Sequence, residues 1–308
     1  MRVLVPDDLR IDYIGHYKPF AIASAVAVLL SLLAIPILGV RLGIEFVGGV
    51  ETRVRVGGDQ PIGEDDIRNA LAGADLADST VFRLGPASER TFVIRARGED
   101  PDALAALAKN IEGTLSAAVG QLEIERSDVV GPRVGEEFRN QAWFAMLLSI
   151  IGIGIYTGLR FAPRYVPGVV LALIHDSVLS AAAVVIAGLT LDFTVVAALL
   201  TVAGYSMNDT IVIYDRIREN AELRTTAQIG RLVNDSLNQT LSRTVLTAGT
   251  VLLTSLALLI FGGDALRGFA LAITVGVAVG TYSTIFVAAP SLIYLSKAEA
   301  KTSGRVAA

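Results

Sequence analysis

Three places in this 308-residue chain put ionisable side chains inside, or at the mouth of, stretches that are otherwise apolar enough to cross a membrane. Asp209 lies near the end of one such stretch, Arg243 opens the next, and the pair His175–Asp176 sits near the middle of another. A charge at the centre of a membrane helix costs roughly 2.5–3.5 kcal/mol on insertion scales, so such residues face a bundle interior and are functional candidates by default. Asp209 and Arg243 stand at the two ends of one hairpin, so their side chains are expected to meet in the inner third of the membrane.

Their neighbours extend the pattern. Arg243, Thr247, Thr250 and Thr254 follow 4-3-4 spacing and share one helix face. Thr201, Tyr205, Asn208 and Asp209 form a similar stripe on the preceding stretch. Two polar stripes that face each other can hold water or relay protons. Asp209 and Arg243 are therefore the leading functional candidates, with His175, Asp176, Asn208, Tyr205 and Thr247 as relay or helix-contact candidates beside them. Blander readings remain open for each. Arg243 also reads as a snorkelling anchor, Asp209 as a structural partner, and His175–Asp176 as hydrogen-bonded glue between helices. The threonines, and the G-x-x-x-G pairs Gly154/Gly158 and Gly276/Gly280, read as close-packing contacts.

Other chemistry is poorly served. The chain has no cysteine, which excludes disulfides and thiolate metal sites, and its two histidines, His16 and His175, make no metal-ligand cluster. No cofactor or metal is expected. ATP-binding, zinc-protease and nucleophile-elbow motifs are lacking, so no enzyme is expected either. An intramembrane aspartyl protease would need two cooperating acids, and Asp176 and Asp209 differ in depth by several residues. The net charge of −4 gives no basic footprint for nucleic acid.

The elements that must position these residues are transmembrane helices. The chain is 53% hydrophobic and 18% charged, against about 25% charged in an ordinary soluble domain. Six stretches suffice for a hydrocarbon core of roughly 30 Å: Phe20–Val40, Gln141–Gly158, Val166–Leu191, Phe193–Tyr214, Thr244–Phe261 and Phe269–Ser296. The first is too long for a signal-peptide core and reads as a retained anchor (the cytoplasmic N-terminus being 1–19 and the first span 20–40). Lys and Arg gather in the loops on the side of both termini, with Arg160, Arg164, Arg216, Arg218, Arg224 and Arg231 among them. Both termini are therefore expected in the cytoplasm, with the tail 297–308 beyond the last span.

Residues 41–137 then face outward. Strand-like alternation over Val50–Val56, Thr80–Leu84, Thr91–Arg97 and Gln121–Val129, with helical spacing over Glu64–Ala74 and Pro101–Ala118, gives the order β-α-β-β-α-β of a ferredoxin-like sandwich. The expected fold is thus a polytopic α-helical membrane protein with six transmembrane helices and one α+β ferredoxin-like extracytoplasmic domain between spans one and two. The other five spans occupy 138–296 and include a cytoplasmic amphipathic segment, 215–239, expected to lie along the inner membrane surface or to dock under the bundle.

Several blocks in order resemble the SecF protein-export membrane subunits, of the SecD/SecF family and the resistance–nodulation–division superfamily. They are Gly43-Ile44-Glu45-Phe46-Val47-Gly48-Gly49 after span one, Val130-Gly131-Pro132-Arg133-Val134-Gly135-Glu136 before span two, and Ala172 to Asp176 in span three. Gly204 to Glu219 and Asn234 to Thr247 complete the set. Glu45 stands where that family usually has Asp, and Tyr214 where Phe is usual. The resemblance implies a half-transporter in the bacterial inner membrane that pairs with SecD beside the SecYEG channel, often with YidC. It implies assistance to translocating preprotein on the outer side, driven by protons, with the family's proton-path positions falling on Asp209 and Arg243. A non-conducting scaffold subunit and a small-molecule or lipid exporter half are the alternatives. Membrane lipid is the remaining expected contact.

Overall fold

A computed structural model describes residues 10–58, 62–73, 76, 79–84, 88–98, 101–223 and 228–302, with the side chains of 101–103 and 296–302 left aside. Of the loop cations named above, Arg224 lies outside the described residues, as do 1–9 of the N-terminal stretch and 303–308 of the tail. Helix α1 (Tyr13–Leu38) begins earlier than hydropathy suggests, because polar groups hold its first turn. The Asp12 carboxylate accepts from Gly15 N at 2.7 Å, and Asn234 Oδ1 accepts from the Tyr13 and Ile14 amides at 2.9 and 3.1 Å. These satisfy amides that a helix N-terminus leaves unpaired. The helix stops at Gly39, whose φ of 75° suits glycine.

A short helix α2 (Ile44–Val47) leads into β1 (Gly49–Val56), α3 (Glu64–Ala72), β2 (Thr80–Leu84), β3 (Thr91–Ala96), α4 (Pro101–Val119) and β4 (Leu122–Val130). The four strands form one antiparallel sheet in the order β2-β3-β1-β4, with Val50 opposite Ala96 and Val54 opposite Phe92. Val50, Val54, Phe92, Ile94 and Val81 close a core with Ile67 and Leu71 of α3 and Leu104, Ile111 and Leu115 of α4. The period-two pattern thus faces one way, towards two amphipathic helices, and the element order is the expected one.

Helices α5 (Pro132–Arg160), α6 (Val166–Ile186), α7 (Phe193–Leu223), α8 (Ile229–Phe261) and α9 (Asp264–Ser283) follow, and a π-helical turn over Thr284–Ala288 joins α9 to α10 (Ala289–Thr302). Six helical spans are long and apolar enough to cross a membrane. At 1.5 Å per residue, the 31 residues of α7 and 33 of α8 reach roughly 46 and 50 Å, well beyond a core of about 30 Å.

Of the two arrangements expected for 215–239, the described residues take the docked one: the first part is the end of α7 and the last part the start of α8, packed against α1. The two extensions are tied together by Asn220 Nδ2 donating to Ser236 Oγ at 2.8 Å and to Gln239 Oε1 at 2.9 Å. Arg216 Nε donates to the same Gln239 oxygen at 2.5 Å. Ile217, Leu232 and Leu237 of its apolar stripe are buried against one another and Tyr13, whereas Leu223 is exposed.

The glycine pair of α9 packs as expected. A methyl group on Gly276 would press on Val202 and Ser180, and one on Gly280 would stand 3.2 Å from Ser206 Cβ and 3.4 Å from Asp176 Oδ2. These close approaches bring α6, α7 and α9 together around a buried acid.

Candidate functional site

Asp209 is buried on α7, with 6% of its surface exposed. Its Oδ1 accepts a hydrogen bond from Thr244 Oγ1 of α8 at 2.7 Å, while Oδ2 is enclosed with no hydrogen-bond partner among the described residues. Among the described residues no ion pair joins Asp209 to Arg243 within 4.0 Å, although the Arg243 guanidinium still acts on the Asp209 carboxyl through its charge. Neighbouring residues on an α-helix point about 100° apart, at 3.6 residues per turn. Thr244 occupies the direction towards Asp209, so Arg243 is turned onto the exposed flank.

The rest of that face goes with it. Thr247, Thr250 and Thr254 are exposed and donate to their own helix, to Arg243 O, Thr247 O and Thr250 O at 2.9 Å each. On α7, Thr201 and Asn208 are exposed as well, and Tyr205 is half-buried with its hydroxyl enclosed against Thr247. The two stripes therefore do not seal a channel within this chain. They lie side by side on one flank of the bundle, at membrane depth.

His175 and Asp176 form a second buried site. Asp176 is wholly inaccessible, its Oδ1 lies 2.8 Å from His175 Nδ1, and its Oδ2 accepts from Ser206 of α7 at 2.5 Å and Ser283 of α9 at 2.9 Å. One carboxylate thus ties three helices. His175 Nε2 is buried without a hydrogen-bond partner among the described residues, and the ring stacks on Tyr282 at 6.4 Å. Tyr282 in turn donates to Phe20 O of α1 at 2.6 Å.

Several participants escaped the sequence. Thr244, rather than Thr247, partners Asp209. Ser206 and Ser283 are ordinary small residues in apolar helices until the fold turns them onto Asp176. Thr210, next to Asp209, meets Thr284 of the π-helical turn at 3.1 Å between hydroxyl oxygens, and Tyr214 donates to Ala288 O at 3.0 Å. A π-turn opens its own backbone bonding, often at functional positions, and nothing in the local sequence announces it.

At the end of the bundle next to the sheet, Glu45 of α2 has Oε2 enclosed without a hydrogen-bond partner among the described residues. Burial raises its carboxyl above the ordinary range; a backbone hydrogen bond and the Arg95 guanidinium pull it back only in part, and Asp192 and Glu51 push it up further.

Six membrane-length helices and a small antiparallel sheet define a multi-pass membrane protein with acids enclosed between its helices. The family of protein export membrane proteins SecD and SecF, in its C-terminal part, matches residues 110–298. The protein translocase subunit SecF of Desulfurispirillum indicum is 40% identical over 295 residues, 93% of either chain. That of Pseudomonas aeruginosa is 39% identical over 294 residues, 94% of either chain. The chain belongs to the SecD/SecF family. Among solved structures it is similar to SecDF from Thermus thermophilus, described as a translocon-associated membrane protein, at 33% identity over 96% of this chain with a TM-score of 0.81. It is also similar to SecDF in a super-membrane-facing form, at 32% identity over 99% of this chain with a TM-score of 0.72. It spans about 40% of the length of those SecDF chains.

Proposed function

We propose that the chain acts as one six-span half of a SecD–SecF unit that uses the proton-motive force to assist preprotein translocation through the SecYEG channel on the outer side of the membrane. In this reading it lies in the bacterial inner membrane with both termini cytoplasmic, and contacts a SecD-type half, the channel, YidC, preprotein and lipid. Protons are the coupling ion and no cofactor is needed. The sheet order β2-β3-β1-β4 and the element order β-α-β-β-α-β support a ferredoxin-like outer domain between spans one and two.

The observation that carries the reading is the half-built state of the Asp209 site. A buried carboxylate has one oxygen unpartnered among the described residues, and beside it Arg243 and two polar stripes lie uncovered at membrane depth. Polar surface at that depth is costly against lipid tails, so it calls for a second bundle laid against this flank. An acid supplied from that second half would give Arg243 a partner, and proton binding at Asp209 would then shift charge across the joint. One charge moved through about 100 mV is worth roughly 2.3 kcal/mol, enough to bias a two-state bundle but short of the ~5.5 kcal/mol of a full population swing, so several protons or a pH gradient are required.

The test is reconstitution of this chain with its SecD-type partner and the channel in vesicles carrying a proton gradient. Asp209→Asn should abolish proton-driven export and the accompanying proton flux while the complex still assembles. Unchanged export and flux would sink the relay. A lower yield of complex with normal activity per complex would favour the scaffold.

A further inference from the structure

Helix α7 carries Asp209 deep in the bundle, and its outer end is gripped by the soluble domain. Asp192, just before the helix, caps it: Oδ1 accepts from Thr194 Oγ1 at 2.6 Å and from Val195 N at 3.1 Å. The other oxygen, Oδ2, lies 3.9 Å from Nη1 of Arg95, a residue of β3. Arg95 Nε donates to Glu51 Oε2 of β1 at 2.6 Å, and its guanidinium lies over the Phe82 ring at 5.0 Å. The three side chains are only 14–22% exposed, so this ion triad is sheltered, unlike the surface pairs that contribute little.

The backbone adds to the grip. Leu42 and Leu191 form a parallel bridge in which Gly43 N donates to Leu191 O at 2.9 Å and Leu191 N to Arg41 O at 2.8 Å. Arg41 Nη1 donates to Gly188 O at 3.2 Å. Phe193, the first residue of α7, is edge-on to Phe46 of α2 at 5.0 Å and to Phe138 of α5 at 5.3 Å. From Asp192 to Asp209 the chain is then one helix without proline, roughly 25 Å long at 1.5 Å per residue. A helix held at one end by a domain and at the other by a titrating carboxylate passes an axial shift or a tilt along its length.

We propose that Arg95 and Asp192 are the coupling residues that pass movement of α7, driven at Asp209, to the outer domain. This rests on the proton-driven reading above. They lie at the opposite end of α7 from Asp209 and act as positioning residues. Without the ion triad, α7 still forms and Asp209 still takes up protons, but the outer domain no longer follows.

The experiment uses the assembled complex in vesicles and reads proton flux and preprotein arrival separately. Asp192→Asn is the informative variant, because asparagine caps a helix as well as aspartate does and removes only the charge facing Arg95. Asp192→Asn and Arg95→Gln should each lower proton-driven export by about fivefold or more, the lower end of ordinary coupling between sites, with proton flux kept. Arg95→Lys should restore most of the export. The chain has no cysteine, so Leu42→Cys with Leu191→Cys adds a single cross-link at the same joint; neighbouring strands lie about 4.8 Å apart, within disulfide reach. Oxidised in the Arg95→Gln background, this pair should return export towards the parent level. Unchanged export in both charge variants would overturn the proposal, as would equal loss of export and flux, or export still lost in the oxidised double-cysteine protein. A parent complex that exports without any proton flux would instead remove the proton-driven reading, and the coupling with it.

Discussion

Replacing Asp176 by asparagine tests what the most buried acid in the bundle does. The carboxylate accepts three hydrogen bonds, from His175 beside it and from Ser206 and Ser283 on two other helices. Asparagine keeps the shape but turns one acceptor into a donor: with its nitrogen in the Oδ2 position it faces two hydroxyl donors, and with its nitrogen in the Oδ1 position it needs the His175 tautomer that leaves Nδ1 unprotonated. Ser283 has an alternative, since its Oγ already lies 3.1 Å from Gly280 O. Ser206 shows no second acceptor among the described residues, so one hydrogen bond to a charged group is lost. Such a bond contributes about 1.5–3 kcal/mol in soluble proteins, whereas bonds between membrane helices average about 0.6 and reach about 1.7 kcal/mol. Removing a buried charge also relieves some desolvation. The expected cost is therefore about 1–2 kcal/mol, or roughly a 5- to 30-fold fall in the folded-to-unfolded ratio. Unfolding of the purified chain in mixed micelles, titrated with dodecyl sulfate and followed by far-ultraviolet circular dichroism, measures it. A double-mutant cycle with Ser206→Ala should show coupling near 1 kcal/mol, as expected for contacting residues, and one with Ser283→Ala should show less. No shift in midpoint and no coupling to Ser206 would refute the reasoning. If the variant is as stable as the parent but loses proton flux, Asp176 is a proton carrier and not a tie between helices.

Other expectations follow from the same contacts. Thr244→Val removes the hydroxyl that partners Asp209 Oδ1, leaving a buried acceptor that costs about 1–3 kcal/mol; the same unfolding titration should register it, and a neutral result would mean another donor takes over. Gly276→Leu forces a side chain against Val202 and Ser180 and should cost about 1–3 kcal/mol of overpacking or prevent folding, read as loss of a monodisperse peak in detergent. Ile94→Ala, in the core of the sheet domain, should cost about 2–5 kcal/mol, seen as faster hydrogen exchange confined to that domain. For Glu45, whose carboxyl burial holds above the ordinary range, the folded state favours the uncharged form. That contribution is fully present below the unfolded value of about 4.3 and is lost as pH rises through the raised folded value. Glu45→Gln should therefore protect residues 44–50 from hydrogen exchange better than the parent at neutral pH and remove the pH dependence; an unchanged pH profile would contradict this.

Much of the architecture was legible because two physical demands write themselves into sequence. Spanning a bilayer requires long apolar runs, and a half-buried sheet requires alternation, so the six spans and the β-α-β-β-α-β order were readable from residue types alone. Charge in an apolar run is costly enough to mark Asp209 and His175–Asp176 as buried and purposeful, and the structure encloses all three. What these residues touch was a different matter. Spacing along one helix says which residues share a face but not which way the face turns, so Arg243 and the threonines ended on the flank and Thr244 took their expected place beside Asp209. The polar stretch after Asp209 carried an amphipathic signal that a surface helix and two helix extensions share equally, and only the neighbouring chain decided between them. Ser206, Ser283 and the π-helical turn had no signal at all, because a hydroxyl acquires its role from the carboxylate that folding brings to it. The grip of Arg95 on Asp192 joins residues almost a hundred positions apart. Nothing local in either segment requires the other; packing of the sheet domain onto the end of α7 makes the pair.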